Sequence, residues 1–442
     1  MSKELDILII GAGLSGLAAS IQCALSGHRV TVLESAKELA EIGAGLQLTP
    51  NATRLLLKWG VYDTIRGLCE PTTCTVYNYK GRILAHEDHF DKNNRRKYNA
   101  PFSDCHRVDL QQALVRKAEE LGVKVVLSAR VVDLDFDVGE GQQKRASVTT
   151  EAWKTYEADL IIGADGLWST TRSVFLGRKD SPLPTGDLAF RIVLQLKQIE
   201  DPKLRKMVQE PGVRFWAGPD SHVVAYSMRG GTMYNVVLLV PDDLPDSVAR
   251  VEGNLEEMRA WFEGWDPVLT QLLEHVDRVD KWKLMHRAEM ESWINDQSNL
   301  VLVGDSCHPM LPYLAQGANS SIEDGAVLGL LLALPHFKSK HQLPKTLRLF
   351  QKLRKARGEA IARETFKQRK DFHMRDGSEQ EARDALFLRQ LGKELVGAFP
   401  SRWTCPVVQP WLYGYDAEKE PYEIGRLSRM FHHPVINMIF RS

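Results

Sequence analysis

Leu5-Asp-Ile-Leu-Ile-Ile10-Gly11-Ala-Gly13-Leu-Ser-Gly16 decides the fold. A short β-branched run ends in glycine, Leu14 to Leu25 follows with helical apolar spacing, and Arg29 to Leu33 returns as a second strand. A right-handed crossover joins parallel neighbours, so this βαβ unit starts a parallel sheet of a doubly wound, Rossmann-like α/β domain. Gly11, Gly13 and Gly16 permit the tight turn and let the helix N-terminus approach a pyrophosphate. Glu34, at the end of the second strand, can accept hydrogen bonds from ribose hydroxyls and disfavours a 2′-phosphate. The motif alone does not separate NAD from FAD.

Two later segments repeat the pattern of a buried apolar strand running into glycine and then an acidic residue, Asp159-Leu-Ile-Ile-Gly163 and Asn299-Leu-Val-Leu-Val-Gly304. Strand ends of an open α/β sheet are where ligands bind, so the three junctions are expected to converge on one extended ligand in a discontinuous domain. Between them, His222-Val-Val-Ala-Tyr-Ser-Met228 and Tyr234-Asn-Val-Val-Leu-Leu-Val240 read as antiparallel strands of a β-rich substrate domain. Beyond Phe350 the chain reads as helices to about Gly397, then as irregular structure around Pro400, Pro406 and Pro410.

The 442 residues carry 57 Lys+Arg against 57 Asp+Glu, so no net field draws in nucleic acid or an anionic membrane. Six scattered cysteines without a C-x-x-C pair fit a reducing compartment. The acidic start is unlike a signal peptide, and the longest apolar stretch, Val327 to Leu334, is far short of the ~20 residues that span a bilayer. A cytoplasmic protein without a membrane span, monomeric or homodimeric, is expected. His86 and His89 lie near Glu87 and Asp88 without further ligand spacing, so they read as an exposed polar loop and no metal is expected.

Gly163-Ala-Asp165-Gly166-Leu-Trp-Ser-Thr-Thr-Arg172, then Gly304-Asp305-Ser-Cys-His308-Pro309 with Leu311-Pro312-x4-Gly317-Ala318-Asn319, resemble the paired motifs of class A flavoprotein monooxygenases. The resemblance covers residues 1 to roughly 370 and implies a para-hydroxybenzoate hydroxylase-like fold. It implies FAD, with Asp165 and Asp305 in its binding motifs, Asp305 on the ribose, and Pro312, Gly317, Ala318 and Asn319 at the flavin. It also matches Glu41 to Asn51, including Gly45, to the loop beside the flavin, and Arg107 to an arginine near the phosphates or ribityl chain. Read without the resemblance, Arg107 is an ordinary helix-start arginine. The implied division is an FAD-binding domain of residues 1–75, 100–181 and 285–370, a substrate-binding β domain of 76–99 and 182–284, and a C-terminal tail of 371–442.

No second strand-G-x-G-x-x-G-helix occurs, which fits NADH or NADPH as a transient co-substrate. Ala189-Phe-Arg191, Trp216-Ala-Gly-Pro-x-x-His222-Val-Val-Ala-Tyr226 and Trp411-Leu-Tyr-Gly-Tyr-Asp416 are most similar to salicylate-hydroxylase-like enzymes. The implied reaction hydroxylates a small aromatic with O2 through a flavin C4a-hydroperoxide. The candidates for substrate contact are Arg191, to hold a phenolate or carboxylate, Tyr226, to hydrogen-bond the same oxygen, and His222 on the same strand face. Residue type alone also allows a structural ion pair, an interior tyrosine and a satisfied core histidine at these positions. Epoxidation or oxidative dearomatisation by the same cofactor, and a non-catalytic flavin-binding redox module, remain open at this level.

Overall fold

The computed structural model describes residues 4–39, 44–138, 145–334 and 337–420. Strand Asp6–Ile10 leads through helix Leu14–Leu25 to strand Arg29–Leu33, as the spacing predicts. These join a five-stranded sheet in the order Leu300–Leu302, Leu160–Gly163, Asp6–Ile10, Arg29–Leu33, Lys124–Val126, with every pairing parallel. The three strands that run into glycine are adjacent, so their carboxyl ends form one rim. Helix Gly317–Leu331 lies against Leu14–Leu25 at close range. A Cβ on Gly325 would sit 2.4 Å from the Ala19 amide nitrogen, and one on Gly329 2.8 Å from the Gln22 carbonyl carbon, so only glycine admits this approach.

The second body is an eight-stranded sheet, built in order from Arg250–Glu252, Asp280–His286, Leu183–Gln195, Met233–Pro241, Ser221–Met228, Gly212–Gly218, Thr73–Asn78 and Ile83–Asp88. Its pairings are antiparallel except Gly212–Gly218 with Thr73–Asn78. His86 lies on the edge strand of this sheet, not in the loop expected for it. Side chains alternate across a strand, so Phe190, Ile192, Val223, Ala225, Val236 and Leu238 share one face. That face forms a closed apolar core with Leu204, Met258 and Leu272, one from each of three short helices. Burying each such large side chain is worth about 1.5–3 kcal/mol. The opposite face looks toward the parallel-sheet body.

The chain after residue 343 straps the two bodies together. Helix Leu343–Phe372 is followed by Ser378–Gln390 and a short helix Val408–Tyr413 inside the stretch expected to be irregular. Phe399, Trp403, Leu412 and Tyr413 share a core with Val213 and Phe215 of the large sheet, so residues 371–420 are structural and not a loose extension. Among the described residues, no helix is long and apolar enough to cross a membrane. The part of the C-terminal tail from 421 to 442 lies outside the described residues.

Candidate active site

The glycine loop carries three different constraints. Gly11 has φ +104°, and a Cβ there would lie 2.5 Å from the Ala164 carbonyl oxygen. A Cβ on Gly16 would fall 2.0 Å from the Gly11 carbonyl oxygen, whereas one on Gly13 meets nothing within 4 Å. The loop is therefore closed around Gly11 and Gly16 and open at Gly13, at the start of a helix whose first amides have no intrahelical acceptor. The Glu34 carboxylate accepts from the Ala12 and Ala36 amides, both at 2.8 Å, so part of its capacity already holds the loop. Gln111, which the sequence reading missed, donates to the Ala12 carbonyl at 3.0 Å from helix Arg107–Glu120.

Asp305 sits in the tight turn after strand Leu300–Leu302 and faces a cavity of about 240 Å³. It makes no hydrogen bond to any described residue. Burial pushes its carboxyl up, against the opposing charges of His308 and Arg107. An under-satisfied carboxylate beside an open helix N-terminus matches the hydroxyl donors of a ribose or ribityl chain. Arg107 begins helix Arg107–Glu120, donates its amide to Ala44 at 3.1 Å and lines the same cavity. Gly317, Ala318 and Pro312 line it too.

Two motif residues behave otherwise. The Asp165 carboxylate accepts from the Ser169 hydroxyl at 2.5 Å and the Thr171 amide at 2.9 Å, tying down the turn before helix Thr170–Phe175, and it does not line the cavity. The Asn319 side chain accepts from the Thr49 amide at 3.0 Å and donates to the carbonyls of Gln47, at 2.9 Å, and Ala315. It stitches strand Gly45–Leu48 to the N-terminus of helix Gly317–Leu331. Gly45 presses on the substrate sheet: its amide donates to Asn235 at 2.9 Å, and a Cβ would lie 2.6 Å from the Tyr226 hydroxyl. Residues 41–43 of that loop lie outside the described residues.

The far wall of the cavity is the open face of the eight-stranded sheet, and strand register explains its composition. Arg191, Val237, Val224 and Phe215 are consecutive partners across four strands. The next rung holds Ala189, Leu239 and His222, and the rung on the other side holds Asn235 and Tyr226. Alternation thus brings all three sequence-predicted substrate residues, Arg191, Tyr226 and His222, to one surface opposite Gly45, Asp305 and Gly317.

The Arg191 guanidinium lies 4.5 Å from the centroid of Trp282 and makes no hydrogen bond or ion pair with a described residue. Burial first, and then the charge of Arg107, bring it down to about 10. Tyr226 is 4% exposed and its phenol is pushed up by burial. The His222 Nδ1 is 2.6 Å from Nε2 of His373, and burial holds His222 well below the usual histidine range. Tyr313 and Trp403 complete the lining. Trp282, His373 and Trp403 were not identified from sequence, and Tyr313 lay unremarked within a motif.

Between helices Gly317–Leu331 and Leu343–Phe372, His308, Asp324, Arg354, Glu323 and Arg357 form a buried ionic chain. His308 meets Asp324 at 2.6 Å and Arg354 meets Asp324 and Glu323 at 2.7 Å each, while Arg357 meets Glu323 at 2.9 Å. Cys307, His308 and Asp324 come close enough together to share a cation, but the Asp324 oxygens are taken by His308 and Arg354, and a cation would face the guanidinium. Tyr415 of the Trp411-to-Asp416 segment stacks 3.9 Å from Arg357, which shows what that segment does: it covers the ionic chain.

A family profile described as FAD binding domain matches residues 4–365. The FAD-dependent monooxygenase OpS4 of Beauveria bassiana (strain ARSEF 2860) is 49% identical over 420 residues, covering 94% of this chain and 96% of that protein. The 3-hydroxybenzoate 6-hydroxylase of Polaromonas naphthalenivorans (strain CJ2) is 30% identical over 420 residues, covering 93% and 96%. A salicylate hydroxylase substrate complex superposes with a TM-score of 0.75 at 19% identity, over 95% of this chain and 98% of that one, a likeness of fold. The open glycine cradle and the unsatisfied Asp305 have the chemistry that FAD requires, and with the family profile and these near full-length relatives they establish that the chain belongs to the class A FAD-dependent aromatic monooxygenases.

Proposed function

We propose that this enzyme hydroxylates a small phenol or hydroxybenzoate-like ring, using NADH or NADPH and O2, and that Arg191 holds the substrate's acidic oxygen. The observation that carries the reading is the Arg191 guanidinium: half-buried, depressed to about 10, stacked on Trp282 and without an anionic partner among the described residues, on the sheet face opposite Asp305. A partly desolvated cation of this kind gains from any anion that enters, and it favours the ionised, more nucleophilic form of a phenol. Tyr226, one rung away, supplies a hydroxyl to the same end of the ring. Aliphatic side chains of Val224, Val237 and Leu239 give the ring a dry bed.

FAD, when bound, supplies the transfer of electrons from the nicotinamide and the activation of oxygen. The chain's part is to seat it, with Gly11, Gly13 and Gly16 at the pyrophosphate, Glu34 and Asp305 on hydroxyls, Arg107 near the phosphates or ribityl chain, and Gly317 and Ala318 at the ring. Asp165 and Asn319 contribute by fixing the turns that carry these groups.

The test is oxidation of NADH and of NADPH in air by the purified yellow protein, with 3-hydroxybenzoate, salicylate and a series of phenols and indoles, products being identified by mass and NMR. An aromatic product one oxygen heavier supports the reading. An epoxide or dearomatised product moves the chemistry to the alternative reactions, and oxidation of nicotinamide with no oxygenated product from any ring overturns it.

A further inference from the structure

His222, buried, and His373, half-buried, form a close histidine pair. His222 sits on the cavity wall, and His373 follows helix Leu343–Phe372, where it is half-buried at the protein's edge. The pair is held from several directions. The His373 carbonyl accepts the Asp220 amide at 3.2 Å, and the rings of Phe372 and Tyr313 lie 5.5 and 5.1 Å from His222. The outer nitrogens, Nε2 of His222 and Nδ1 of His373, have no hydrogen-bond partner among the described residues, and neither is sealed in. Nδ1 of His106 and Nδ1 of His308, by contrast, are both sealed and unpartnered. His222 lines the cavity and His373, behind it, is half-buried, so the pair connects the cavity wall to a partly exposed residue.

We propose that His373 is the outer half of a two-histidine relay that carries a proton between a substrate hydroxyl at His222 and solvent. The substrate O–H bond breaks as Nε2 of His222 takes the proton. The proton on Nδ1 of His222 then passes to Nε2 of His373, and the proton on Nδ1 of His373 passes to water. The reverse sequence returns one proton to the product oxygen and restores both tautomers, so no proton is gained or lost over a turnover. The relay requires each ring to be neutral, offering one donor and one acceptor nitrogen.

Burial lowers both rings, His222 well below its usual range and His373 to about 4. The charged neighbours do not reverse this. Asp187, which raises His373, is held by Arg369 at 2.5 Å and by the Tyr313 hydroxyl, and Asp220 is paired with Arg375 at 2.7 Å. The relay rests on the reading of this site as one that binds a phenol, but the state of the pair can be measured without any substrate.

The first measurement is NMR of the FAD-loaded protein with 15N-labelled histidine. Two neutral, mutually hydrogen-bonded rings between roughly pH 6 and 9 are expected. A cationic ring in that range, or two uncoupled rings, overturns the relay whether or not any phenol is turned over. The second uses 3-hydroxybenzoate, or whichever phenol the wild-type protein oxidises. His373→Ala should lower turnover roughly 10- to 100-fold at neutral pH with the flavin spectrum unchanged. Added imidazole, or a pH above the phenol's own pKa, should restore most of the loss. Wild-type turnover in His373→Ala, or a loss that neither imidazole nor high pH repairs, overturns the relay. A wild-type protein inert toward every phenol would instead fail the proposed reaction, leaving the NMR result to decide the pair.

Discussion

Arg172 donates from Nη1 to the carbonyl of Ser306 at 3.3 Å, so the last residue of the Gly163-to-Arg172 motif grips the backbone directly after Asp305. The same guanidinium, on a residue only 1% exposed, reaches the carbonyls of Cys307, at 3.4 Å, and Ala288, at 2.8 Å, and pairs with Asp180 at 2.6 Å. Five donors in a rigid fork suit this task, and a lysine's point charge does not. Arg172→Met should destabilise the fold by about 3–5 kcal/mol, because it strands buried acceptors, and should weaken FAD binding through displacement of Asp305. Arg172→Lys should rescue little of either. Urea unfolding and flavin titration check the two effects; FAD affinity equal to wild type would show that Asp305 is placed without Arg172.

The glycine loop separates folding from cofactor binding. Gly16→Ala forces a Cβ into the Gly11 carbonyl, at 2.0 Å, and should cost at least about 1–3 kcal/mol even without FAD. Gly13→Ala meets nothing within 4 Å, and its φ of −72° suits alanine, so the apoprotein should keep wild-type stability within about 0.5 kcal/mol. Its flavin affinity should nonetheless fall, because the new methyl occupies the open side of the cradle. Thermal unfolding of both apoproteins and flavin titration of Gly13→Ala distinguish the roles; unimpaired binding in Gly13→Ala would place the pyrophosphate elsewhere.

Asp305 should show opposite signs in the two measurements. Its folded carboxyl is raised by burial, so the uncharged form is the one the fold prefers. The associated stability is fully present below the unfolded value of about 4 and is lost as pH rises through the raised folded value. Asp305→Asn removes that loss: the variant apoprotein should match wild type at acid pH and exceed it near neutrality, while binding FAD more weakly. Melting curves against pH, with and without FAD, read both. A less stable neutral apoprotein would show that the charge is already satisfied by His308 and Arg107.

The parallel sheet was legible because its signal is local: β-branched runs that end in glycine at Gly11, Gly163 and Gly304, with the crossover helix between the first two strands. The cavity face of the large sheet was legible in outline, since period-two spacing alone puts His222 and Tyr226 on one side of a strand. What pairs with that face is set by contacts between distant segments. Trp282 under Arg191, His373 behind His222 and Trp403 against Phe215 come from positions 91, 151 and 188 residues away, with no local pattern to mark them. Motif residues were legible as motif but not as contact. Asp165 and Asn319 spend their side chains on Ser169, Thr171 and Thr49, because a binding loop must be held in shape by polar groups of its own.

Arg191 provides the most direct test of substrate chemistry. Its guanidinium is depressed to about 10, chiefly by burial, so the fold bears a cost for keeping the cation that an incoming anion would offset. Arg191→Met keeps the length of the side chain over Trp282 and removes the charge. The variant should retain FAD and melt no lower than wild type, because the cost of a partly desolvated, unpaired cation is gone. Turnover of a phenolate or carboxylate substrate should fall roughly 10- to 100-fold at limiting substrate, the loss of one charge-assisted hydrogen bond worth about 1.5–3 kcal/mol. A neutral analogue lacking the acidic oxygen should be affected far less, so the ratio of kcat/KM for the two substrates in each protein is the decisive quantity. An unchanged ratio would mean that the acidic oxygen is held by other groups and that Arg191 serves the sheet through Trp282 alone.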